Sequence, residues 1–163
     1  NNNTERCGIL FWNRKKAPEL SAPSGIGAAD FAGAGTPLKF NSVDFRDGQQ
    51  SLFATRLTTA DMIPLLEQMD AVGYDSMEMW GGATFDTCYR FLHESPWERL
   101  DQLRQAIPNI PFQMLVRGIN GVGYHAYPDN VIREFIREAA RSGIDIFRIF
   151  DSFNNPESMR LAI

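Results

Sequence analysis

Four short apolar stretches recur along this chain at a nearly constant interval. Their starts lie roughly 35 residues apart, about the length of one strand, a crossover helix and two short loops. The stretches are Phe40 to Phe45, Ser76 to Trp80, Phe112 to Val116 and Ile144 to Phe150. Because a crossover of that length returns the chain to the same end of the sheet, the pattern predicts a parallel sheet.

Between these stretches, apolar residues recur with the spacing of amphipathic helices. The first interval has an apolar face between Thr59, which can cap a helix, and Gly73, a natural stop. The second begins with a capping box at Ser95 to Glu98, and the third has an apolar stripe between Val131 and Ala140. Strands and helices therefore alternate, which is typical of an α/β protein.

The residues after the strands separate two parallel architectures. A doubly wound sheet would carry a glycine-rich phosphate loop after its first strand, and the residues from Arg46 to Gln50 do not form one. In a (β/α)8 barrel, catalytic side chains gather where the strands end. The polar residues at the predicted strand ends are Arg46, Asp47, Glu78, Asp86, Arg117, Arg148 and Asp151. The sequence therefore predicts an α/β fold made of the first four βα units of a TIM (β/α)8 barrel.

The character of the chain changes near Phe40. All lysines precede that residue, and residues 17–37 are dominated by Ala, Gly, Pro and Ser, which bury little surface and cost backbone entropy to order. We expect residues 1–39 to form a flexible N-terminal segment with this linker, and residues 40–163 to form the N-terminal half of the barrel. Within the first segment, Cys7 to Trp12 is apolar enough for a short strand or a docking segment.

Composition argues against several classes of protein. The 163 residues are 44% hydrophobic with a net charge of −4, whereas a disordered chain would be less apolar and a nucleic-acid binder would normally be basic. A membrane span would need a run of about 20 apolar residues, and none occurs. Two distant cysteines, Cys7 and Cys88, favour a reducing, cytoplasmic location. The first residue is not Met and the last residues resemble an unfinished helix, so we expect a part of a longer protein.

Two groups of residues could do chemistry at the mouth of the predicted barrel. In Arg46-Asp47 the carboxylate can ligate a metal and the guanidinium can hold an anion in two hydrogen bonds, although a purely structural ion pair fits equally well. Arg117 precedes a loop with three glycines that ends at Tyr124. Such a loop lets a ligand approach the backbone closely, or it serves only to turn the chain.

Five strings after Phe40 are distinctive in their order and spacing. They are FRDGQQSLFATR, EMWGGATFD, RFLHESPWERL, QMLVRGINGVGY and GIDIFRIFDSFN. Together they resemble the carboxyltransferase domain of biotin-dependent enzymes, a family that includes pyruvate carboxylase, the oxaloacetate decarboxylase α subunit and the keto-acid subunit of transcarboxylase. Gln49 departs from the family string DAHQS, in which a histidine stands at this position.

The resemblance implies roles for five side chains. It implies that Arg46 and Gln50 lie against the biotin and keto-acid positions and that Arg117 grips the carboxylate of the keto acid. It further implies that Tyr124 lies near biotin and that Asp86 supports the arginines. Transfer of a carboxyl group to pyruvate passes through an enolate, which agrees with cationic groups in a pocket that excludes water.

The resemblance also implies cofactors and partners. Asp47 would be one ligand of a divalent metal (Zn, Mn or Co), and the family's carboxylated Lys, His-x-His pair and proton-relaying Thr do not occur in this chain. Biotin would be supplied by a carrier domain or subunit. The implied partners are pyruvate or oxaloacetate, the biotin carboxyl carrier domain, the remaining half of the barrel and further copies in a homo-oligomer, with no nucleic acid and no membrane span.

The function implied is therefore part of a biotin-dependent carboxyltransferase acting on pyruvate or oxaloacetate, and we expect the isolated chain to be inactive. One alternative is a metal-dependent acyl-CoA lyase or Claisen-type synthase, because those enzymes also place an Arg-Asp-Gly string after the first strand. A second alternative is an inert or scaffolding half barrel.

Overall fold

The computed structural model describes residues 9–11 and 38–163, which form a five-stranded sheet in the order β1-β5-β4-β3-β2. The strands are β1 (Ile9–Phe11), β2 (Asn41–Ser42), β3 (Ser76–Trp80), β4 (Phe112–Val116) and β5 (Ile146–Ile149). Strands β2 to β5 are parallel to one another, and β1 is antiparallel to β5. The predicted parallel sheet of four strands is confirmed. The predicted linker, residues 17–37, lies outside the described residues.

Among the described residues, five helices connect the parallel strands, and a sixth follows β5. They are α1 (Gln49–Phe53), α2 (Thr59–Val72), α3 (Gly82–Thr87), α4 (Pro96–Ala106), α5 (Asp129–Ser142) and α6 (Pro156–Met159). Two π-helical turns, Asp44–Gly48 and Cys88–Leu92, and one 3₁₀ turn, Gly118–Asn120, complete the described part. Within it, no helix has the length and apolar character needed to cross a lipid bilayer.

The helix ends follow from local hydrogen bonds. Thr58, not Thr59 as predicted, is the N-cap of α2, because its extended backbone lets its hydroxyl accept a hydrogen bond from the amide of Asp61 at 3.2 Å. The Asp61 carboxylate accepts in return from the amide of Thr58, and the hydrogen bonds from Thr58 lower the pKa of Asp61. Gly73 ends α2 with a φ of 77°, as predicted.

The two faces of the sheet differ in chemistry. One face is apolar and packs on the crossover helices; its core includes Met77, Phe112, Met114, Phe147, Ile149, Leu66, Leu100, Leu103 and Ile132. On each of the three central strands an alternate position carries a polar side chain, namely Glu78, Gln113 and Arg148. Because successive side chains of a strand point to opposite faces, these polar groups lie on the face away from the helices.

The register shifts between Glu78 and Trp80. Glu78 pairs with Gln113, yet Trp80 pairs with Met114, so Met79 is an extra residue on β3. The shift returns Trp80 to the apolar face, where its ring meets Phe85 at 5.2 Å and Trp97 at 5.0 Å between centroids. Glu78 is thereby left on the polar face.

Candidate active site

The turn after β2 presents two neighbouring charged side chains. Three consecutive backbone amides, those of residues 46 to 48, donate to the carbonyl oxygen of Val43 at 3.2, 2.8 and 3.0 Å. This compact turn buries Arg46, whereas the side chain of Asp47 is 51% exposed. Nη1 of Arg46 donates to Oδ1 of Asp47 at 2.9 Å, so the two residues form an ion pair.

A fully buried carboxylate, that of Glu78 on β3, holds Arg46 from the other side. Its Oε1 accepts from Nε of Arg46 and from Nη2 of Arg148 at 2.9 Å. Its Oε2 accepts from Nε of Arg148 at 2.8 Å and from Nε2 of Gln113 at 2.6 Å. The carboxylate therefore connects the turn after β2 with strands β4 and β5.

Glu78 stays charged despite its burial. Burial raises the pKa of Glu78, but hydrogen bonds from Arg148 and Gln113 and the charges of Arg46 and Arg148 outweigh that effect and lower the pKa below its usual 4.5. A buried charge with these partners is compensated, and removing a partner would leave it exposed to the full cost of desolvation.

The Arg46 guanidinium is bound at two of its three nitrogen atoms. Nε is bound by Glu78 and Nη1 by Asp47, while Nη2 donates no hydrogen bond to any residue in the described ranges. A guanidinium held rigidly on one side presents its remaining N–H groups in a fixed direction, which suits recognition of an anion.

Arg46 and Arg117 each pack on one of two adjacent glycines at the end of β3. A Cβ on Gly81 would lie 3.1 Å from Cδ of Arg46, and a Cβ on Gly82 would lie 2.8 Å from Cζ of Arg117. Consecutive Cα atoms are about 3.8 Å apart, so both arginine side chains pack against the backbone where β3 ends. The absence of a Cβ at both positions is what permits this close approach.

The loop after β4 orients Arg117. Its Nη1 donates to the carbonyl oxygen of Gly123 at 2.9 Å, and its Cζ lies 4.9 Å from the centroid of the Tyr124 ring. A cation over an aromatic face is attracted to it. The guanidinium is thus held between the end of β3 and the rim of its own loop.

A cleft of about 530 Å³ opens beside this loop. Its lining includes Asp86, Arg90, Tyr89, Phe85, Tyr124 and Tyr127. Oδ1 of Asp86 and Nε of Arg90 form an ion pair at 2.8 Å. The cleft thus has aromatic walls and the Asp86–Arg90 ion pair, a lining suited to a flat, partly polar ligand.

Four of the predicted site residues fall into two groups. Arg46 and Asp47 form one pair, and Arg117 and Tyr124 form the other. Asp86 lines the cleft with Tyr124, and within the described residues its ion pair is with Arg90 and not with Arg46 or Arg117.

Gln50, the sixth predicted residue, belongs to neither group, and three further polar residues lie on the strands. Gln50 is half-buried in α1, next to the turn of Arg46. No site role was predicted for Glu78, Gln113 or Arg148, although Glu78 and Arg148 are among the polar residues at the predicted strand ends. A single charged or amide residue within an otherwise apolar strand was the signal that could have identified them.

The HESPWER part of the resemblance has a structural role. Arg99 is 2% exposed, and its Nη2 donates to Glu94 at 2.6 Å and to the carbonyl oxygen of Leu57 at 3.0 Å. The Glu94 carboxylate also accepts from the hydroxyl of Thr59 at 2.6 Å. Burial raises the pKa of Glu94, but the hydrogen bonds from Thr59 and Arg99 outweigh it and lower the pKa. This network joins the starts of α2 and α4.

The described residues do not form a metal site by themselves. No group of three or more His, Cys, Asp or Glu side chains suited to a metal occurs in residues 38–163. Asp47 supplies one carboxylate, and one of its oxygens already faces Arg46. Divalent cations held by proteins need several ligands at once.

Known proteins with similar sequences are carboxylases and carboxyltransferases, although no family model matches the chain. A pyruvate carboxylase subunit of Methanocaldococcus jannaschii is 56% identical over 126 residues, which are 77% of this chain and 22% of that protein. Pyruvate carboxylase of Staphylococcus aureus is 52% identical over 154 residues, 93% of this chain and 13% of that protein. The methylmalonyl-CoA carboxyltransferase 5S subunit of Propionibacterium freudenreichii is 49% identical over 118 residues, 72% of this chain and 23% of that protein.

Solved structures agree with the sequence relatives. The carboxyl transferase domain of Rhizobium etli pyruvate carboxylase, solved with pyruvate and biocytin, matches with a TM-score of 0.73 and 48% identity over 77% of this chain and 21% of that one. The same domain with 3-bromopyruvate matches over 93% of this chain and 30% of that one, with a TM-score of 0.75 and 40% identity.

The chain thus belongs to the carboxyltransferase domains of the biotin-dependent family, as the sequence resemblance indicated. Within that family the chain is similar to pyruvate carboxylases of archaea, bacteria and fungi. It spans about a fifth of the archaeal proteins it matches, and less of the longer carboxylases.

Proposed function

We propose that this chain is part of an enzyme that moves a carboxyl group between carboxybiotin and pyruvate or oxaloacetate. In this proposal residues 40–163 are the first half of a TIM barrel, and residues 1–39 are an N-terminal segment whose strand β1 joins the same sheet. The observation that carries the proposal is the packing of Arg46 and Arg117 on the adjacent residues Gly81 and Gly82 at the end of β3.

The two guanidinium groups suit a 2-oxo acid. Arg117 would bind its carboxylate, and the Nη2 group of Arg46 would face its keto oxygen or the ureido oxygen of biotin, with Gln50 beside it. Negative charge develops on the keto oxygen when the enolate forms, and a positioned cation stabilises that charge most where water is excluded. A hydrogen bond to a charged group is worth about 1.5 to 3 kcal/mol.

The cleft beside Arg117 would take the biotin ring. Its aromatic walls offer apolar contact, and Tyr124 and Asp86 offer a hydroxyl and a carboxylate for the polar ureido group. In this arrangement the cation–aromatic contact between Arg117 and Tyr124 links the two binding positions.

Relatives of this family imply biotin and a divalent metal. We propose Asp47 as one metal ligand because its carboxylate is exposed beside Arg46. The other ligands would come from outside the described residues. The proposed partners are a biotin carboxyl carrier domain, the rest of the barrel and further copies of the protein, and we propose a cytoplasmic location.

The test is oxaloacetate decarboxylation stimulated by free biotin, measured on a full-length protein that contains this chain. Replacement R117A is expected to lower turnover roughly tenfold to a hundredfold, the equivalent of one charge-assisted contact. The matched control is R137A, because Arg137 is exposed on α5 and its ion pair is with Glu134 on the same helix.

Two outcomes would contradict the proposal. Turnover of acyl-CoA substrates without any biotin-stimulated decarboxylation would favour the lyase alternative. Full activity in the R117A variant would remove the proposed role of that residue. For the 163-residue chain alone we expect no turnover and metal binding no tighter than about millimolar, and a stoichiometric, tightly held zinc or manganese ion would contradict that expectation.

A further inference from the structure

Gln49 lies beside the proposed site, and one of its polar atoms has no partner among the described residues. The residue is 2% exposed. Its Nε2 donates to the carbonyl oxygen of Phe45 at 2.7 Å, while its Oε1 is buried and accepts no hydrogen bond from the described part of the chain. Buried amide oxygens are nearly always hydrogen-bonded in folded proteins. The orphaned oxygen therefore indicates a donor that is not among the described groups.

Gln49 also ties together both ends of the segment that carries Arg46. Its side chain binds Phe45, the residue directly before Arg46, and its own carbonyl oxygen accepts from the amide of Thr55 at 3.1 Å. Ala54 and Thr55 have φ values of 49° and 61°. The left-handed region is costly for a β-branched residue such as Thr, so the surrounding contacts must hold this backbone in place.

We propose that Gln49 is a positioning residue for Arg46. Its amide nitrogen holds the backbone of the turn at Phe45, while the Glu78 carboxylate holds the guanidinium itself. Its Oε1 accepts a hydrogen bond from a donor, either an internal water molecule or an N–H or O–H group of another segment. The inference rests on the proposed function in one respect, namely that the orientation of Arg46 serves to bind the substrate or biotin.

The experiment measures hydrogen exchange of the Arg46 Nε–H group by NMR on the 163-residue chain, without substrate. Replacement Q49M keeps the shape of the side chain but removes both polar atoms, so we expect exchange at Arg46 to become roughly tenfold faster. Replacement Q49H should restore slow exchange, because one ring nitrogen can donate to Phe45 and the other can accept. The matched control is Q105M, since Gln105 is exposed on α4.

The donor is identified in the same samples. Magnetisation transfer from water to the Gln49 side-chain amide would identify a water molecule, and transfer from another side chain would identify that group. Either result supports the proposal. A Gln49 side-chain amide that exchanges as fast as that of Gln105 would overturn it, because such an amide is neither buried nor bonded.

Two further outcomes decide the role itself. Unchanged exchange at Arg46 in a folded Q49M variant would overturn the proposal. Should Q49M fail to fold, Q49H decides, and fast exchange at Arg46 in a folded Q49H chain would also overturn it. Because these measurements need no turnover, an inactive full-length protein with normal Arg46 exchange would count against the proposed function alone.

Discussion

Glu78 organises the polar face of the sheet at the level of a single residue. Its donors lie 32, 35 and 70 residues away in the sequence and come from a turn and two strands. A buried carboxylate costs several kcal/mol to desolvate, and the charge-assisted hydrogen bonds from Arg46 and Arg148 offset that cost. Glu78 therefore specifies the position of Arg46 more than it adds net stability.

Replacement E78Q tests this assignment. The neutral amide leaves two guanidinium groups without their shared counter-ion, so we expect a loss of folding stability on the order of 3 kcal/mol. Exchange of the Arg46 Nε–H group should also become faster. Urea unfolding and NMR measure the two effects, and E134Q is the control, because Glu134 forms an exposed ion pair worth less than about 1 kcal/mol.

The pH dependence of the same variant has a defined sign. The pKa of Glu78 is lower in the folded chain than its usual 4.5, so its contribution to stability is present above that value and is lost as the pH falls through the folded pKa. Wild-type stability should therefore drop more steeply than that of E78Q below about pH 4.5. Parallel curves for the two proteins would contradict the role of Glu78.

At the level of secondary structure, α3 is placed by the two glycines that precede and begin it. A Cβ on Gly82 would lie 2.7 Å from the carbonyl oxygen of Val122 and 2.8 Å from Cζ of Arg117. The first residue of α3 therefore packs directly on the loop after β4. The position of this helix and the orientation of Arg117 depend on each other.

Replacement G82A should separate α3 from that loop. The new methyl group must displace Arg117 or the backbone at Val122, so we expect the NMR signals of Arg117 and Tyr124 to shift while the chain remains folded. The control is G48A, where the nearest atom to the added Cβ lies at 3.7 Å. G48A should instead stabilise the chain by about 0.5 kcal/mol, because it restricts the unfolded state. Unchanged Arg117 signals in G82A would contradict the packing argument.

The secondary structure shows which features a sequence can predict. Strands β3 and β4 match the predicted bounds, because strong apolar runs between turns define them. Strand β2 is only Asn41–Ser42, shorter than the predicted Phe40 to Phe45, because the carbonyl oxygen of Val43 accepts the amides of the following turn. That competition between turn and strand leaves no periodic signal.

Some features of the candidate site could be predicted from the sequence, and others could not. Arg46, Asp47 and Arg117 could be predicted because each directly follows a strand, where functional residues of parallel sheets gather. The hydrogen-bond network around Glu78 could not be predicted, because it depends on a register shift at Met79 and on partners from distant strands. Contacts of this kind exist only after the sheet has formed.

At the level of the whole molecule, the two edges of the sheet end in different kinds of strand. Strand β2 ends one edge with two residues, and β1 covers the other by pairing Ile9 with Arg148 and Phe11 with Ile146. Unpaired strand edges are templates for association with other chains. A further parallel strand, as in a closed barrel, would need the same backbone groups of β5 that β1 occupies.

Removal of residues 1–12 should therefore expose the edge of β5 and increase self-association. We expect sedimentation velocity to show dimers or larger species at concentrations roughly tenfold lower than for the whole chain, because unpaired donors and acceptors of β5 then seek a partner strand. Removal of residues 1–5 alone is the control, since it leaves β1 in place. Identical sedimentation of all three chains would show that β1 does not protect the edge. In that case the N-terminal segment would not compete with a further barrel strand for the edge of β5.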